Sequence, residues 1–434
     1  MYAIIFVAGE GKRLRPLTFT TPKPLLELLG ESIISRVISP LLNVGIKDFI
    51  FVTNYKEKQV IEHIKDKFKE INTIFIHQEK LLGTADALLR AKDYIVEDDE
   101  FFIAVNGDCL FSPSILERAV RDTMSGKMVL GGKKVTDPHN YGVIVVDENH
   151  LPLKIIEKPP KGTFNEAYAN IGIYGLPGKV MRILEQMENM KMKSSRGEYE
   201  LPDAINQLLD SKAYETSLVR IKESEYWFDI GHPWSLLEAN KALMLSYQRE
   251  IEGEVEENVT IKGPVVIRKG AIVRSGAYIE GPAFIDEGAD VGPNCYIRKY
   301  TYLGRNTRIG NACEVKNSII YDGTHAAHLS YIGDSIIGKN CNFGAGTITA
   351  NLRLDDRNVP VVIKGIKVDS GRRKLGLICG DNVKTGISVL FMPGVKVGYN
   401  SWVGAGTVVN EDIPNETVYY SITERIIKRK KKLQ

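Results

Sequence analysis

The 434 residues exceed what one hydrophobic core ordinarily serves, so two or three domains are expected. With 57 Lys and Arg against 54 Asp and Glu, the formal charge of +3 argues against the basic field of a nucleic-acid-binding chain. Cys109, Cys295, Cys313, Cys341 and Cys379 form no CxxC pair for zinc or redox work and read as reduced, buried thiols of a cytoplasmic protein. No apolar run approaches the ~18 residues that a membrane helix requires, so neither spanning nor secretion is expected.

In chain order, Ala3-Ile4-Ile5-Phe6-Val7 has the length and composition of a buried parallel strand. It feeds a loop in which Gly9 and Gly11 let main-chain N–H groups approach an anion while Lys12, Arg13, Arg15 and Lys23 supply charge, a cradle suited to a triphosphate. Residues 1 to about 240 then alternate strand-like and helix-like segments, which predicts a mostly parallel sheet with helices on both faces. Strands are expected at Phe49–Thr53, Thr73–His77, Phe101–Asn106, Met128–Lys133 and Tyr141–Val146, with ligands at their carboxyl ends. After Thr73–His77 comes Gln78, whose amide can donate to and accept from a pyrimidine edge, then Gly83 and Thr84 at a helix start. Asp108 and Asp229 each end an apolar run, and two carboxylates with phosphate oxygens suit magnesium.

The string Gly-x-Gly-x-Arg-Leu-x-Pro-Leu-Thr followed by Pro22-Lys23-Pro24 resembles the signature of sugar-1-phosphate nucleotidylyltransferases, with Lys12 where that family usually has Thr or Ser. The resemblance implies an α/β Rossmann-like domain over residues 1–235 with Mg2+ on Asp108 and Asp229. It puts a uracil or thymine base on Gln78, Gly83 and Thr84, and a sugar pocket at Gly142, Glu157 and Asn170 with Lys158 facing the sugar phosphate. Arg13 would hold the β and γ phosphates of UTP or dTTP and Lys23 the α-phosphate. No protein nucleophile is needed, because attack by the sugar phosphate on the α-phosphorus rests on positioning and charge neutralisation.

Beyond a helix-like segment from Ser235 to Glu250 the period becomes six. Val255, Ile261, Ile267, Val273, Ile279, Ile285, Val291, Ile297, Leu303, Ile309 and Val315 follow without a miss. A row of aliphatics at that spacing stacks into one continuous core as the chain winds. The pattern resembles the hexapeptide repeat of left-handed parallel β-helices. The register shifts after Val315, so an extruded loop is expected within Tyr321–Ser330, and a longer excursion over Leu352–Gly376.

The first interruption carries His325 and His328, with Tyr331, Asn342 and Asn351 close behind. This constellation resembles the acetyltransferase half of the bacterial enzyme that acetylates glucosamine-1-phosphate and then uridylylates it. It resembles still more the archaeal bifunctional sugar-1-phosphate nucleotidylyltransferase/acetyltransferases. By position, the resemblance makes His328 the base that takes the amine proton, a task suited to an imidazole. Arg298 and Lys316 become the cations on the sugar phosphate. Tyr331, Asn342 and Asn351 stand around the sugar and the thioester, and acetyl-CoA is the co-substrate. Arg372, Arg373 and Lys374 are candidates for the coenzyme A phosphates.

The expected layout is a nucleotidylyltransferase domain at 1–235, a linker helix at 236–252, a β-helix acetyltransferase domain at 253–420 and a basic tail at 421–434, in a homotrimer. A nucleotidylyltransferase alone, its solenoid serving oligomerisation as in ADP-glucose and GDP-mannose pyrophosphorylases, is the alternative, against which His328, Asn342 and Asn351 argue. Arg13, Lys23, Asp108 and Asp229 argue against a non-enzymatic assembly subunit of the exchange-factor kind.

Overall fold

The computed structural model describes residues 1–194 and 197–422; most of the basic tail lies outside the described residues. Two compact units emerge, Met1–Leu14 with Thr21–Ser235, and Arg15–Thr20 with the chain from Leu236 onward.

The first unit is a nine-stranded sheet. Its strands are β1 (Tyr2–Val7), β2 (Asp48–Thr53), β3 (Asn72–His77) and β4 (Phe101–Asn106), then β5 (Met128–Val135), β6 (Gly142–Val146), β7 (Pro152–Glu157), β8 (Ala167–Pro177) and β9 (Thr216–Arg220). The path runs β7-β6-β8-β4-β1-β2-β3, with β5 against β8 and β9 against β5. β4, β1, β2 and β3 form a continuous parallel set and β9 pairs β5 in parallel, but β8 is antiparallel to β4, β5 and β6 and β7 to β6, so the sheet is mixed rather than mostly parallel. Sequence periodicity missed this because β8 is buried on both faces along most of its length and lacks alternation. Side-chain alternation along β1 builds two cores: Ala3, Ile5 and Val7 enter one, Ile4 and Phe6 the other.

Two features place functional side chains. The register of β8 shifts between Asn170 and Tyr174 as it leaves β6 for β4, a bulge that turns Asn170 and Gly172 toward the carboxyl end of β4. A short antiparallel pair, Cys109–Phe111 with Trp227–Asp229, sets Asp229 opposite Cys109 and so beside Asp108. That pair is anchored from behind. Glu225 accepts from Arg118 at 2.5 and 2.9 Å and from Ser114 at 2.6 Å, and Tyr226 N–H donates to Ser112 Oγ at 2.7 Å.

The second unit is the stacked three-sheet coil of a left-handed parallel β-helix, with eight, nine and eight strands in its sheets. Its interior is the six-spaced row: Ile267, Val273, Ile279, Ile285, Val291, Ile297, Leu303, Ile309 and Val315 are fully buried, each such side chain contributing about 1.5–3 kcal/mol of burial. Val255, which pairs on one side only, stays 36% exposed. The helix at the junction runs Pro233–Met244 and pairing starts at Glu250, so the helical segment is shorter than its apolar spacing suggested.

No loop is extruded within residues 321–330, contrary to the expectation. Ile267 pairs with Ile285 and Ile285 with Leu303, eighteen apart, whereas Leu303 pairs with Ile320 and Ile320 with Ile337, seventeen apart. Each coil there drops one residue at a corner, which moves the pattern by one without breaking it. The later excursion is real and folded, an antiparallel hairpin of Pro360–Ile363 with Ile366–Asp369, after which Thr349 pairs with Phe391.

Hydrogen bonding by Arg118 holds the Glu225 carboxyl down at about 2, below the ~4.3 of an unfolded chain. A depressed folded-state value contributes stability above the unfolded value and loses it as pH falls. The thermal midpoint should therefore drop progressively between about pH 5 and pH 2. In Glu225→Gln that part of the drop should vanish and the midpoint at pH 7 should be lower, as calorimetry would read.

Candidate active sites

A cleft of about 570 Å³ opens at the carboxyl ends of β1, β3 and β4. Into it the fold brings Gly9, Arg13, Lys23, Gln78, Gly83, Thr84, Asp108, Gly142, Glu157, Lys158, Asn170 and Asp229. Of the residues expected here, Gly11 does not line it; with φ of +62° its carbonyl accepts from Leu14 N–H in the following turn. Lys12 turns away to pair with Glu10 at 2.9 Å.

At the floor, Lys23 Nζ donates to Asp108 Oδ2 at 2.8 Å and to Asp229 Oδ1 at 3.5 Å. Burial alone would pull the ammonium pKa down, but the two carboxylates overrule it and the net shift is upward. Arg13 stands above: a methyl built on Gly231 would meet Arg13 Nη2 at 3.2 Å and Asp229 Oδ2 at 3.3 Å. Among the described residues no group of three His, Cys, Asp or Glu forms a ready metal cage. Two carboxylates converging on one cation nonetheless fit magnesium, which takes hard oxygens and fills its shell with water and phosphate.

Gln78 is buried, and its amide nitrogen donates to Asp86 Oδ2 at 2.6 Å and to Gly83 O at 3.3 Å. A carboxylate can only accept, so the amide orientation is fixed and the donor half is spent. The expectation that this amide donates and accepts at once is thus corrected: only its carbonyl oxygen remains as an acceptor facing the cleft. Asp86, held by Arg90 at 2.9 Å, was invisible in sequence because it lies inside a helix. Gly83, at φ +105°, has no room for a side chain, since a Cβ would sit 2.3 Å from Tyr199 O.

Opposite the carboxylates, Glu157 Oε2 lies 2.7 Å from where a Cβ on Gly142 would stand. Asn170 donates to Tyr174 Oη at 2.9 Å and accepts from Gly172 N–H at 3.2 Å. Burial pushes the Tyr174 phenol up, so it remains a neutral partner. Asn106, Tyr141, Glu198, Glu200 and Trp227 also line the cleft and carried no sequence signal beyond their neighbours.

The second unit places its candidates on two of its sheets, His328 and Asn342 on the nine-stranded one, Lys316 and Tyr331 on an eight-stranded one. Lys316 Nζ donates to Asp334 Oδ2 at 2.8 Å, Asn351 Nδ2 to the same oxygen at 2.5 Å, and Asn317 Nδ2 to Oδ1 at 2.7 Å. Asn351 also reaches Tyr331 Oη at 3.1 Å. Burial raises the Tyr331 pKa. Asp334, 2% exposed, is therefore the hub joining three of these side chains, a role that nothing in the sequence had assigned to it. Arg298 pairs with Glu314 at 2.8 Å. His328 is exposed at the end of His325–His328, and Asn342 pairs in register with His325. Arg298 and Lys316 share a cavity of about 400 Å³ that His328, Tyr331, Asn342 and Asn351 do not line. Of the candidates for coenzyme A, Arg372 binds Glu238 and Arg373 pairs with Asp356 at 2.6 Å.

A Rossmann-like sheet with this cleft, in one chain with a hexapeptide solenoid, defines a nucleotidyl transferase with an appended β-helix. Residues 2–245 match the family described as Nucleotidyl transferase, and residues 279–390 match the GMPPB C-terminal domain. The chain is similar to the bifunctional protein GlmU of Methanocaldococcus jannaschii, 44% identical over 431 residues covering 99% of this chain and 100% of that one. It is 47% identical over 431 residues to the protein of that name from Methanococcus maripaludis strain C7. The bifunctional sugar-1-phosphate nucleotidylyltransferase/acetyltransferase of Sulfurisphaera tokodaii is 41% identical over 416 residues, 95% of this chain and 98% of that one. The chain belongs to this family of bifunctional nucleotidylyltransferase/acetyltransferases.

Asp334→Asn removes the negative charge that Lys316 and Asn351 share and replaces one of its two acceptor oxygens with a donor. Acetyl transfer should fall at least about tenfold while pyrophosphate release is kept, measured on one preparation.

Proposed function

We propose that the first unit transfers UMP or dTMP from UTP or dTTP to a sugar-1-phosphate, N-acetylglucosamine-1-phosphate or glucose-1-phosphate, releasing pyrophosphate. The second acetylates glucosamine-1-phosphate or galactosamine-1-phosphate with acetyl-CoA. The observation that carries the reading is Lys23 held between Asp108 and Asp229, on the floor of a cleft that also gathers Arg13, Gln78, Glu157 and Asn170.

Gln78 presents its carbonyl to the imide N–H that uracil and thymine share, with Gly83 and Thr84 against the base. Arg13 binds the β and γ phosphates and Lys23 the α-phosphate. Glu157, Asn170 and the Gly142 backbone orient sugar hydroxyls, and Lys158 holds the sugar phosphate for in-line attack. Asp108 and Asp229 would hold magnesium, which when bound neutralises charge on the attacking and leaving oxygens. In the second unit Arg298 and Lys316 bind the acceptor phosphate, and Tyr331 and Asn351, set by Asp334, position the amine. His328 takes the amine proton while Asn342 lies beside the thioester. Nucleotidylyl transfer is assigned to residues 1–235 and acetyl transfer to 253–420. Exposed Ile387, Trp402, Val408 and Val418 on the later coils support assembly as a homotrimer. No helix of the described residues is long and apolar enough to cross a membrane, and reduced, buried cysteines support a cytoplasmic setting.

Lys23→Ala should cut magnesium-dependent pyrophosphate release from UTP and sugar phosphate by about a hundredfold or more. Retained release would remove the assigned role. His328→Ala should abolish thiol release from acetyl-CoA with either amino-sugar phosphate while UDP-sugar synthesis continues. Thiol release independent of His328 would overturn its role as base.

A further inference from the structure

The cavity of about 400 Å³ that holds Arg298 and Lys316 is also lined by Lys241, Lys299, Tyr300 and Arg372, so five cations surround it. Four of them are matched by carboxylates. Arg298 has Glu314 at 2.8 Å, Lys316 has Asp334 at 2.8 Å, Lys299 has Glu280 at 3.5 Å, and Arg372 binds Glu238. Lys241 has no carboxylate partner among the described residues; its ammonium lies over the Tyr300 ring, 4.9 Å from the centroid. The cavity's uncompensated charge is therefore centred on Lys241.

Tyr300 is itself unusual. Its φ of +66° belongs to the left-handed corners of the coil, which at Asn294 and Asn306 are filled by asparagine. A bulky side chain there strains the backbone, and such strain persists where the surroundings impose it. Here Asn240 Nδ2 donates to Tyr300 O at 3.0 Å, and the ring underlies Lys241. An asparagine at 300 would relieve the corner but give Lys241 nothing to rest on.

We infer that Lys241 is a phosphate-binding residue of the acetyl-acceptor site, completing with Arg298 and Lys316 a pocket for the phosphate of an amino-sugar phosphate, and that Tyr300 positions it. The inference rests on the reading of Arg298 and Lys316 as the phosphate-holding pair. The acceptor class follows: a hexosamine carrying a phosphate dianion, in preference to the free amino sugar.

The test is steady-state acetyl transfer to glucosamine-1-phosphate and to glucosamine, read as thiol release, in wild type, Lys241→Ala, Lys241→Arg, Tyr300→Asn and Lys316→Ala. Lys241→Ala should raise KM for glucosamine-1-phosphate about tenfold, with kcat and the KM for acetyl-CoA within about twofold and the glucosamine reaction unmoved. Lys241→Arg should restore most of the loss. Tyr300→Asn should raise the same KM while increasing the thermal midpoint, a combination that a purely structural role does not produce. An unchanged KM in Lys241→Ala alongside a raised one in Lys316→Ala overturns this inference and leaves the phosphate with Arg298 and Lys316. Loss of kcat without a change in KM overturns it as well. Absence of acetyl transfer in the wild type overturns the underlying reading, and the inference with it.

Discussion

A buried ammonium between two carboxylates is the constraint on which the first unit depends. Desolvating Lys23 is costly unless its charge is matched, and the match comes from segments that share no local structure. Asp108 follows the central parallel strand, whereas Asp229 arrives on a three-residue strand near the end of the unit. The loop after β1, the edge of β4 and the last strand must all be in place together. The same arrangement keeps two carboxylates together at the floor of the cleft, so the stability of the floor and the convergence of its charged groups are one requirement.

The second unit repeats the principle on different scaffolding. In the solenoid the row of aliphatics supplies cohesion and leaves the corners to chemistry. Asp334 is buried at a corner with φ of +49° and organises Lys316, Asn317 and Asn351 through its two oxygens. The coils that carry this hub are those shortened to seventeen residues. Deleting a corner residue draws a polar carboxylate inward, where three donors can satisfy it, without interrupting the stack of aliphatics beneath.

Much of this was legible in the chain. Spacing of six is so restrictive that the solenoid could be read residue by residue, and β4 was placed to the residue because an unbroken apolar run has clear ends. What escaped has a common cause. Asp86, Asp334 and Lys241 gain their meaning only from partners that the fold brings to them: a glutamine amide eight residues earlier, a lysine one coil away, and an aromatic ring beneath the ammonium. The antiparallel course of β8 was hidden because burial on both faces erases alternation. The supposed loop after residue 320 was a misreading of phase, since a one-residue deletion and an insertion both break a periodic count.

The pairing of Trp227–Asp229 with Cys109–Phe111 also bears on how the protein comes into being. Synthesis proceeds from the amino terminus, so for most of the time that the first unit is emerging, Lys23 and Asp108 exist without Asp229. A nascent chain that ends before residue 227 has the glycine-rich loop, the Gln78 amide and most of the sheet, but one carboxylate opposite its buried lysine. The floor of the cleft is thus the last part of its unit to be completed, and the strand that completes it is followed directly by the helix leading into the solenoid.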